Sequence, residues 1–558
     1  MSEMIPTNVL IVGSGPTGMT MALALAKFGI SSILIDRRET IYGEPRAHAL
    51  NPRTLEIFDA LGIDNNKLKS MATPVDQSCW VRWVDTLNGG EFGKLPYERM
   101  HEDDTLPTPW PLFNIAQPVV ETDMQRHIES NDAITALRPW QWKSCEQRVD
   151  GVVSLVVDEK GQEHQIFSRY LIGADGAGSP VREAMGIEME GMGIIQNFCM
   201  IHFKADLRKI VEDKPAVLYW IMRQECSGTF ISYDAKENWV FMYPYDDLEI
   251  NKSAFTPEYC KELVLNAIGR SDIDIEILTN GGWGLGSQIA ERYRHQNVFL
   301  VGDAAHRFPP SGGLGLNTGV GDAHNLAWKI GGVLKGWAWP KLLESYEAER
   351  KQVARHNADF STENAGKLFY VMLETGTLMP DGMQPSFEAL KADTKRWNAI
   401  QENIEAQRDH FDGLALQIGQ HYGRAEAPDL RADDFQSSEV GARFPHAWLS
   451  INGKRASSHL LLSATKFTLV LRDGVELPKF ISEVPHQLKV ENQDFAADTD
   501  ALRAMGLDQA QLVIIRPDGH ISKRFESEPI TANALMSALS KAAYKFVALD
   551  EKRLAGEV

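Results

Sequence analysis

Cysteine is scarce in this chain. The five that occur among 558 residues, Cys79, Cys145, Cys199, Cys226 and Cys260, lie far apart and form no CxxC pair. That spacing excludes a structural zinc site and a dithiol redox motif and leaves reduced thiols as the plain reading, so no metal is expected. Basic charge is in deficit too: 57 Lys and Arg against 76 Asp and Glu give a formal net charge of −19. Such a surface repels phosphate backbones and anionic lipid, so neither nucleic acid nor a membrane is expected as a partner. Long apolar runs are also missing, and no stretch reaches the roughly 18 residues that a membrane helix needs. The N-terminus shows no basic segment leading into a cleavable apolar one, because Asn8-Val-Leu-Ile-Val12 runs directly into a glycine turn. Together these absences predict a cytoplasmic location.

What is present is an ordinary globular composition, 43% hydrophobic and 24% charged, in a chain long enough for roughly three or four domain-sized units. Glycine-rich fingerprints occur at 8–36, 169–182 and 299–319. Between about 185 and 295 lie β-type runs such as Ala216-Val-Leu-Tyr-Trp-Ile-Met222 and Asn238-Trp-Val-Phe-Met-Tyr243, which predict an antiparallel sheet inserted into the framework. From about 340 to 425 the pattern is helical and charged, opening with Leu342–Arg350. A breaker-rich linker at 427–445, containing Asp433-Asp434 and Gly441, precedes a small α/β unit. Its strands are read at Lys466–Leu471 and Leu512–Arg516 and its helix at Ala532–Tyr544.

The first fingerprint has the parts a dinucleotide turn requires. A buried-type strand, Asn8–Val12, leads into Gly13-Ser-Gly15-Pro16-Thr17-Gly18, then a helix of small and apolar residues, then Ser32–Ile35 ending at Asp36 and Arg37. Gly13 permits the tight turn, Gly15 lets a pyrophosphate approach the backbone, and Gly18 lets the helix pack closely. The helix N-terminus offers unpaired N–H groups to phosphate, and Asp36 is placed to accept from an adenosine ribose. This unit specifies an adenine dinucleotide without choosing between FAD and NAD.

The other two fingerprints make the choice. They are Asp175-Gly176-Ala-Gly-Ser179-Pro-Val-Arg182 and Gly302-Asp303-Ala-Ala-His306, the latter followed by Pro309-Pro310 and Gly312-Gly-Leu-Gly315-Leu316-Asn317. In this order the chain resembles the class A, single-component FAD-dependent aromatic hydroxylases. Within them it is most similar to the phenol hydroxylase branch that includes 2,4-dichlorophenol and 2-hydroxybiphenyl monooxygenases. The resemblance is strong over about 5–360 and weaker beyond, where that branch carries a thioredoxin-like domain. It implies an α/β fold: an FAD-binding Rossmann-like domain (1–184, then 296–430 with a helical segment), an inserted antiparallel β-sheet substrate domain (185–295) and a C-terminal thioredoxin-like domain (441–558). That last domain has no cysteine, so a thiol redox role for it is excluded and a structural or oligomerisation role is favoured.

The resemblance also assigns roles. Asp303 would bind the ribityl chain, Asp175 would lie beside the cofactor, and the Pro310 carbonyl would lie near the isoalloxazine where oxygen reacts. The backbone at Gly315, Leu316 and Asn317 would meet the flavin N1/C2 edge, which fits a helix N-terminus facing an anionic reduced flavin. Arg46 and Gln117 fall where the family contacts FAD, the competing reading for Arg46 being a surface salt bridge. NADH or NADPH would dock transiently, since no second GxGxxG unit exists, and oxygen would add to the reduced flavin as a C4a-hydroperoxide.

On the substrate side, the segment Glu44–Glu56 resembles the phenol hydroxylase branch, where an acid or histidine near this spot deprotonates the phenol. His48 is therefore the candidate general base, because a neutral imidazole can take the proton whose loss makes the ring a better nucleophile. The competing reading is a histidine satisfied by backbone contacts. His306 is expected to shape its loop, while Tyr219 and Trp220 either line an aromatic pocket or belong to the core. The segment Ser227–Asn238 is short and acidic where a basic, tryptophan-bearing loop is expected. The expected activity is ortho hydroxylation of a phenol in a homo-oligomer, dimer or tetramer. Epoxidation or Baeyer–Villiger oxidation of a polycyclic compound is the enzymatic alternative, and a flavin-binding interaction module without turnover is the other.

Overall fold

The apolar run after the N-terminus becomes the middle of a sheet. In the computed structural model, which describes residues 4–41, 43–102, 106–247, 250, 252–430, 436–478, 488–491 and 495–543, strand Ile5–Val12 is flanked in parallel by Glu163–Gly173 and Ser32–Ile35. Val298–Leu300 and Ile134–Leu137 extend the parallel array on either side. Val9, Leu10, Ile11, Ile33, Leu34, Leu171, Ile172, Phe299 and Leu300 are buried in one core, which is why these strands read as unbroken apolar runs. Their registers align Val12 with Gly173, Val12 with Ile35, and Gly173 with Leu300. The carboxyl ends of four strands therefore share one edge, where open α/β sheets bind ligands, and all three glycine fingerprints begin there.

The second sheet runs in the order His306–Arg307, Glu276–Ala290, Met189–Lys204, Asn238–Tyr245, Gly228–Asp234, Leu218–Ile221, Trp80–Val84, Glu91–Pro96. It is antiparallel except where Leu218–Ile221 meets Trp80–Val84. The bounds 185–295 are thus too narrow: two strands come from before 184 and one from after 296. A strand's own residues report its alternation but not its partner, and Trp80–Val84 joins this sheet through a non-local parallel pairing. One face packs on helix Pro257–Ile268. The other meets the helical segment, Ser345–Thr375 and Thr394–Glu405, through Leu218, Trp220, Val371 and Ile400.

In the C-terminal domain Phe467–Leu471 pairs in parallel with Leu488–Glu491 and antiparallel with Leu512–Ile515, which pairs with Ile521–Phe525. This order, with helices Thr499–Ala504 and Ala532–Ala542, is the thioredoxin-like arrangement. Asp433-Asp434 of the linker and Tyr544 at the expected helix end lie outside the described residues. All five cysteines are free thiols, and four are buried.

Candidate active site

The three fingerprints converge on one cleft. Gly13 has φ +103°, and a Cβ there would lie 2.2 Å from the Ala174 carbonyl oxygen and 3.0 Å from the Asp175 Cα. A Cβ on Gly18 would lie 1.9 Å from the Gly13 carbonyl oxygen, and one on Gly302 would lie 2.8 Å from Thr17 Oγ1. These glycines are demanded by protein against protein. Gly15 and Gly315 differ: no heavy atom lies within 4 Å of a Cβ built on either. Both begin helices, Pro16–Lys27 with Gly15 as N-cap and Gly315–Leu334, and neither helix start has a side-chain cap. Two helix N-termini with uncapped N–H groups and open space before them form a cradle that fits the phosphates and the anionic ring edge of a flavin dinucleotide.

The acidic residues around the cleft divide into two kinds. Asp36 accepts at Oδ2 from Ser14 N (2.9 Å) and at Oδ1 from Arg38 N (2.9 Å). Burial raises its pKa, but these hydrogen bonds and the Arg38 charge outweigh it and hold the carboxyl at about 2. Asp36 therefore fixes the turn through Ser14, while Arg37 beside it is exposed. Asp175 is also occupied, accepting from Ser179 Oγ and from Val181 N at 3.0 Å. Asp303 instead opens onto the cleft, enclosed enough that burial raises its pKa against the pull of His306 and Arg46. His306 lies behind this loop, fully buried, its Nε2 2.7 Å from Asp322 Oδ2, which also accepts Gly302 N at 3.1 Å. Asp322 is part of the loop's support that sequence reasoning missed, since it reads there as one helical polar residue among several.

The helix start at 315 is tied to the histidine segment. Asn317 Oδ1 accepts from Asn51 N (3.1 Å) and Thr54 Oγ1 (2.7 Å), and its Nδ2 donates to the Ala49 and Gly313 carbonyls at 2.9 and 2.6 Å. Asn317 thus spends its side chain as a brace. Leu316 packs in part on the main core. The Pro310 carbonyl accepts from Gly313 N at 2.9 Å, closing a turn. Gln117 opens a helix with its N donating to the carbonyl of Ala47, the residue after Arg46 (2.9 Å), and its Nε2 donating to Glu121 Oε1 (2.6 Å).

His48 is held by a side chain, not only by backbone contacts. Its Nδ1 lies 2.8 Å from Asn114 Oδ1, and Asn114 Nδ2 donates to Thr73 Oγ1 (3.0 Å) and the Ser232 carbonyl (3.3 Å). Because Thr73 Oγ1 itself donates to the Tyr233 carbonyl at 2.6 Å, the amide is fixed with its oxygen toward the imidazole. Nδ1 therefore carries the proton and Nε2 keeps its lone pair. Burial, only partly offset by the Asn114 hydrogen bond, lowers the His48 pKa to about 4, so the ring is neutral at pH 7. Tyr97 stacks beside it (centroids 6.4 Å apart) and Tyr233 meets it edge-on (6.1 Å). Sequence reasoning did not find Asn114: an asparagine in Leu112-Phe-Asn-Ile115 has no motif around it, and only strand pairing with Ala49–Leu50 brings it to His48. The acidic segment Ser227–Asn238 forms a hairpin that supplies Ser232 and Tyr233 to this site.

The two aromatic candidates separate by strand alternation. Trp220 and Leu218 face the apolar cluster that contains Ala49, Tyr97 and Phe411. Tyr219 points the opposite way, fully buried against Trp239 and Phe230, with its hydroxyl donating to the Lys214 carbonyl at 2.9 Å. As a pocket-lining expectation Tyr219 is corrected: it is core.

Comparison with known proteins defines the class that this fold and cleft belong to. The family profile described as "FAD binding domain" matches residues 6–361, and that described as "Aromatic-ring hydroxylase, C-terminal" matches 437–543. The chain belongs to the FAD-dependent aromatic-ring hydroxylases, which are monooxygenases that use NAD(P)H and O2. It is 28% identical to a 2,4-dichlorophenol 6-monooxygenase of Delftia acidovorans, over 94% of this chain and 95% of that one. It is also 28% identical to the tetracenomycin A2 monooxygenase-dioxygenase of Streptomyces glaucescens, over 97% of each. The structure is similar to that of the flavin-dependent monooxygenase PieE in complex with FAD and substrate, with TM-score 0.88, 27% identity, and coverage of 97% of this chain and 100% of that one. Enzymatic turnover replaces the interaction-module alternative. Among the described residues, no helix is long and apolar enough to cross a membrane.

Proposed function

We propose that the enzyme hydroxylates a phenolic aromatic ring, ortho to the hydroxyl, with His48 as general base. The observation that supports this reading is the single tautomer imposed on His48: Nδ1–H donates to Asn114, and Nε2, for which no hydrogen bond is found among the described residues, keeps its lone pair beside an apolar, aromatic cluster. A phenol, pKa about 10, gives up its proton to such a nitrogen only as the ring begins to react, and the proton transfer raises the electron density that ortho attack requires. When bound and reduced by NAD(P)H, FAD would activate O2 for transfer of one oxygen atom. The chain's own residues bind and orient. Gly13 and Gly18 shape the turn so that Gly15, Pro16 and Thr17 would admit the pyrophosphate to the first helix, Asp303 would accept from the ribityl hydroxyls, and the backbone of Gly315, Leu316 and Asn317 would donate to the ring edge. Asp36, Arg37, Arg46, Gln117 and Asp175 border the same cleft, with Asp36 and Asp175 shaping its loops. Pro310 closes the oxygen-side turn, and Trp220 with Tyr97 walls the substrate from water. A homo-oligomer and a cytoplasmic location belong to the same reading.

A panel of simple phenols tests it: a phenol should stimulate NAD(P)H oxidation and yield a catechol, and His48→Gln should lose that stimulation while still binding FAD. Stimulation by phenols that survives intact in His48→Gln removes His48 from the role. A second reading, oxidation of a polycyclic aromatic, is favoured by the similarity to the tetracenomycin enzyme, and a polycyclic phenol in the same panel separates the two.

A further inference from the structure

The C-terminal domain reaches the active site through buried charge. The turn between its strands Leu512–Ile515 and Ile521–Phe525 carries Arg516, Asp518 and His520. Asp518, 1% exposed, accepts at Oδ2 from Trp328 Nε1 (3.1 Å) and Asn325 Nδ2 (3.2 Å) on helix Gly315–Leu334. Its backbone carbonyl accepts from Arg53 Nη2 at 2.7 Å, on helix Pro52–Leu61. Arg443, from the same domain, makes a two-pronged pair with Glu56 of that second helix, at 2.8 and 2.6 Å, with both side chains 3% exposed. Arg516 forks onto Glu349 at 2.7 and 2.9 Å, and Glu349 also takes Lys329 Nζ at 2.8 Å. One domain therefore grips helices Pro52–Leu61 and Gly315–Leu334 from behind, and a third, Ser345–Thr375, through Glu349.

The first two helices are the ones that build the site. Helix Gly315–Leu334 presents its N-terminus to the cleft, and helix Pro52–Leu61 starts at Asn51, three residues after His48. They meet again at Asn317, which bonds Asn51, Thr54 and Ala49. Between this forward brace and the rear grip lies a cavity of about 50 Å³ lined by Asn51, Arg53, Asn317, Arg443, Asp518 and His520 among others. Buried ion pairs add little net stability over apolar side chains of similar size, yet they enforce geometry because each charge tolerates few positions.

We propose that Arg443 and Asp518 are positioning residues for the flavin reaction: the C-terminal domain sets the spacing of helices Pro52–Leu61 and Gly315–Leu334, and through Asn317 the placement of His48 against the flavin ring. The inference rests on the reading of His48 and the 315–317 backbone given above. It assigns a task to a domain that has no thiol chemistry available to it.

The test uses the full-length, FAD-loaded enzyme. In the double variant Glu56→Met/Arg443→Met the pair is replaced by apolar chains, so the fold is kept while the directional tether is lost. Expected are a melting temperature within a few degrees of the parent, an FAD Kd raised fivefold or more, and an altered visible circular dichroism of the bound flavin. With a stimulating phenol, peroxide released per NAD(P)H oxidised should at least double. A folded double variant with parental FAD Kd, flavin dichroism and peroxide yield overturns the proposal and leaves the tether as stabilisation alone. Should that variant not fold, Asp518→Asn is measured the same way with the same two outcomes. The Kd and dichroism need no substrate, so if no phenol stimulates the parent enzyme the phenol reading fails by itself and the tether is still decided.

Discussion

Asn114→Leu removes the group that fixes the His48 tautomer. Asn114 is fully buried and accepts from His48 Nδ1 at 2.8 Å, and its side-chain hydrogen-bond partners, His48, Thr73 and Ser232, lie outside the glycine fingerprints. In the variant the Nδ1 proton has no acceptor, and an unpaired buried donor costs about 1–3 kcal/mol. The ring escapes by moving the proton to Nε2, which removes the lone pair aimed at the substrate. Either way the barrier to proton removal rises by about that amount, and at 1.4 kcal/mol per decade the aromatic-dependent rate falls about ten- to a hundredfold. FAD affinity should stay within about twofold. Asn114→Asp gives the opposite perturbation: an ionised carboxylate on Nδ1–H stabilises the imidazolium, so the acid limb of the kcat/KM profile, near pH 4 in the parent, moves upward. The assay is phenol-stimulated NAD(P)H oxidation with product analysis over about pH 5 to 9, the range in which an unperturbed histidine would titrate. An Asn114→Leu enzyme with the parental rate, together with an unmoved acid limb in Asn114→Asp, would refute the reasoning.

Further outcomes follow from the same geometry. Gly18→Ala places a Cβ 1.9 Å from the Gly13 carbonyl oxygen and should destabilise the protein itself, whereas a Cβ on Gly15 meets no protein atom within 4 Å, so Gly15→Ala should cost the apoprotein far less melting temperature than Gly18→Ala while weakening FAD binding. Glu98 is buried, accepts from Gly413 N (3.1 Å) and Gln417 Nε2 (2.9 Å), and burial raises its pKa to about 8. A folded pKa above the unfolded 4.5 means stability is lost as pH rises from about 4.5 to 8. Glu98→Gln should therefore gain roughly 3 kcal/mol over the parent at pH 7 and much less at pH 5, read from urea unfolding. The buried histidines act in the other direction: burial lowers His48, His459 and His520 to about 4 and His324, His410 and His446 to about 3. The unfolded chain binds protons first, so their contribution is intact above about pH 6.5 and is lost as pH falls toward 3–4, by up to about 1.4 kcal/mol per pH unit for each group. Thermal melts across that range should show the fall.

The parts legible in the sequence were those whose reasons are local. Gly13, Gly18 and Gly302 announce turns because a Cβ would strike neighbouring atoms, and Val9–Val12 announces a buried strand because both faces are covered. The inserted sheet and the C-terminal strands Phe467–Leu471 and Leu512–Ile515 declared themselves by β-branched and aromatic content. Non-local pairing did not. Trp80–Val84 joins the substrate sheet across 137 residues, as the Val81–Leu218 register shows. Ile521–Phe525 hides behind Lys523 and Arg524, two adjacent charges that break its apolar pattern. The site followed the same rule. His48 stood out by its residue type and neighbours, but Asn114 and Asp322 act only through folded proximity, and Tyr219 against Trp220 turned on which face a strand presents. The grip of Arg443 on Glu56 spans 387 residues and leaves no trace in local pattern.

The central claim is oxygen transfer to a phenolic ring at a His48-assisted site, and the direct measurement is isotopic. The FAD-loaded enzyme is incubated with NAD(P)H, ¹⁸O₂ and a phenol that stimulates turnover, and the product is weighed by mass spectrometry. One ¹⁸O atom in a catechol, in proportion to NAD(P)H consumed, is the expected result, with incorporation falling and peroxide rising in His48→Gln. Reduced cofactor consumed at the same rate with and without every aromatic, with all the label recovered as hydrogen peroxide, contradicts the account.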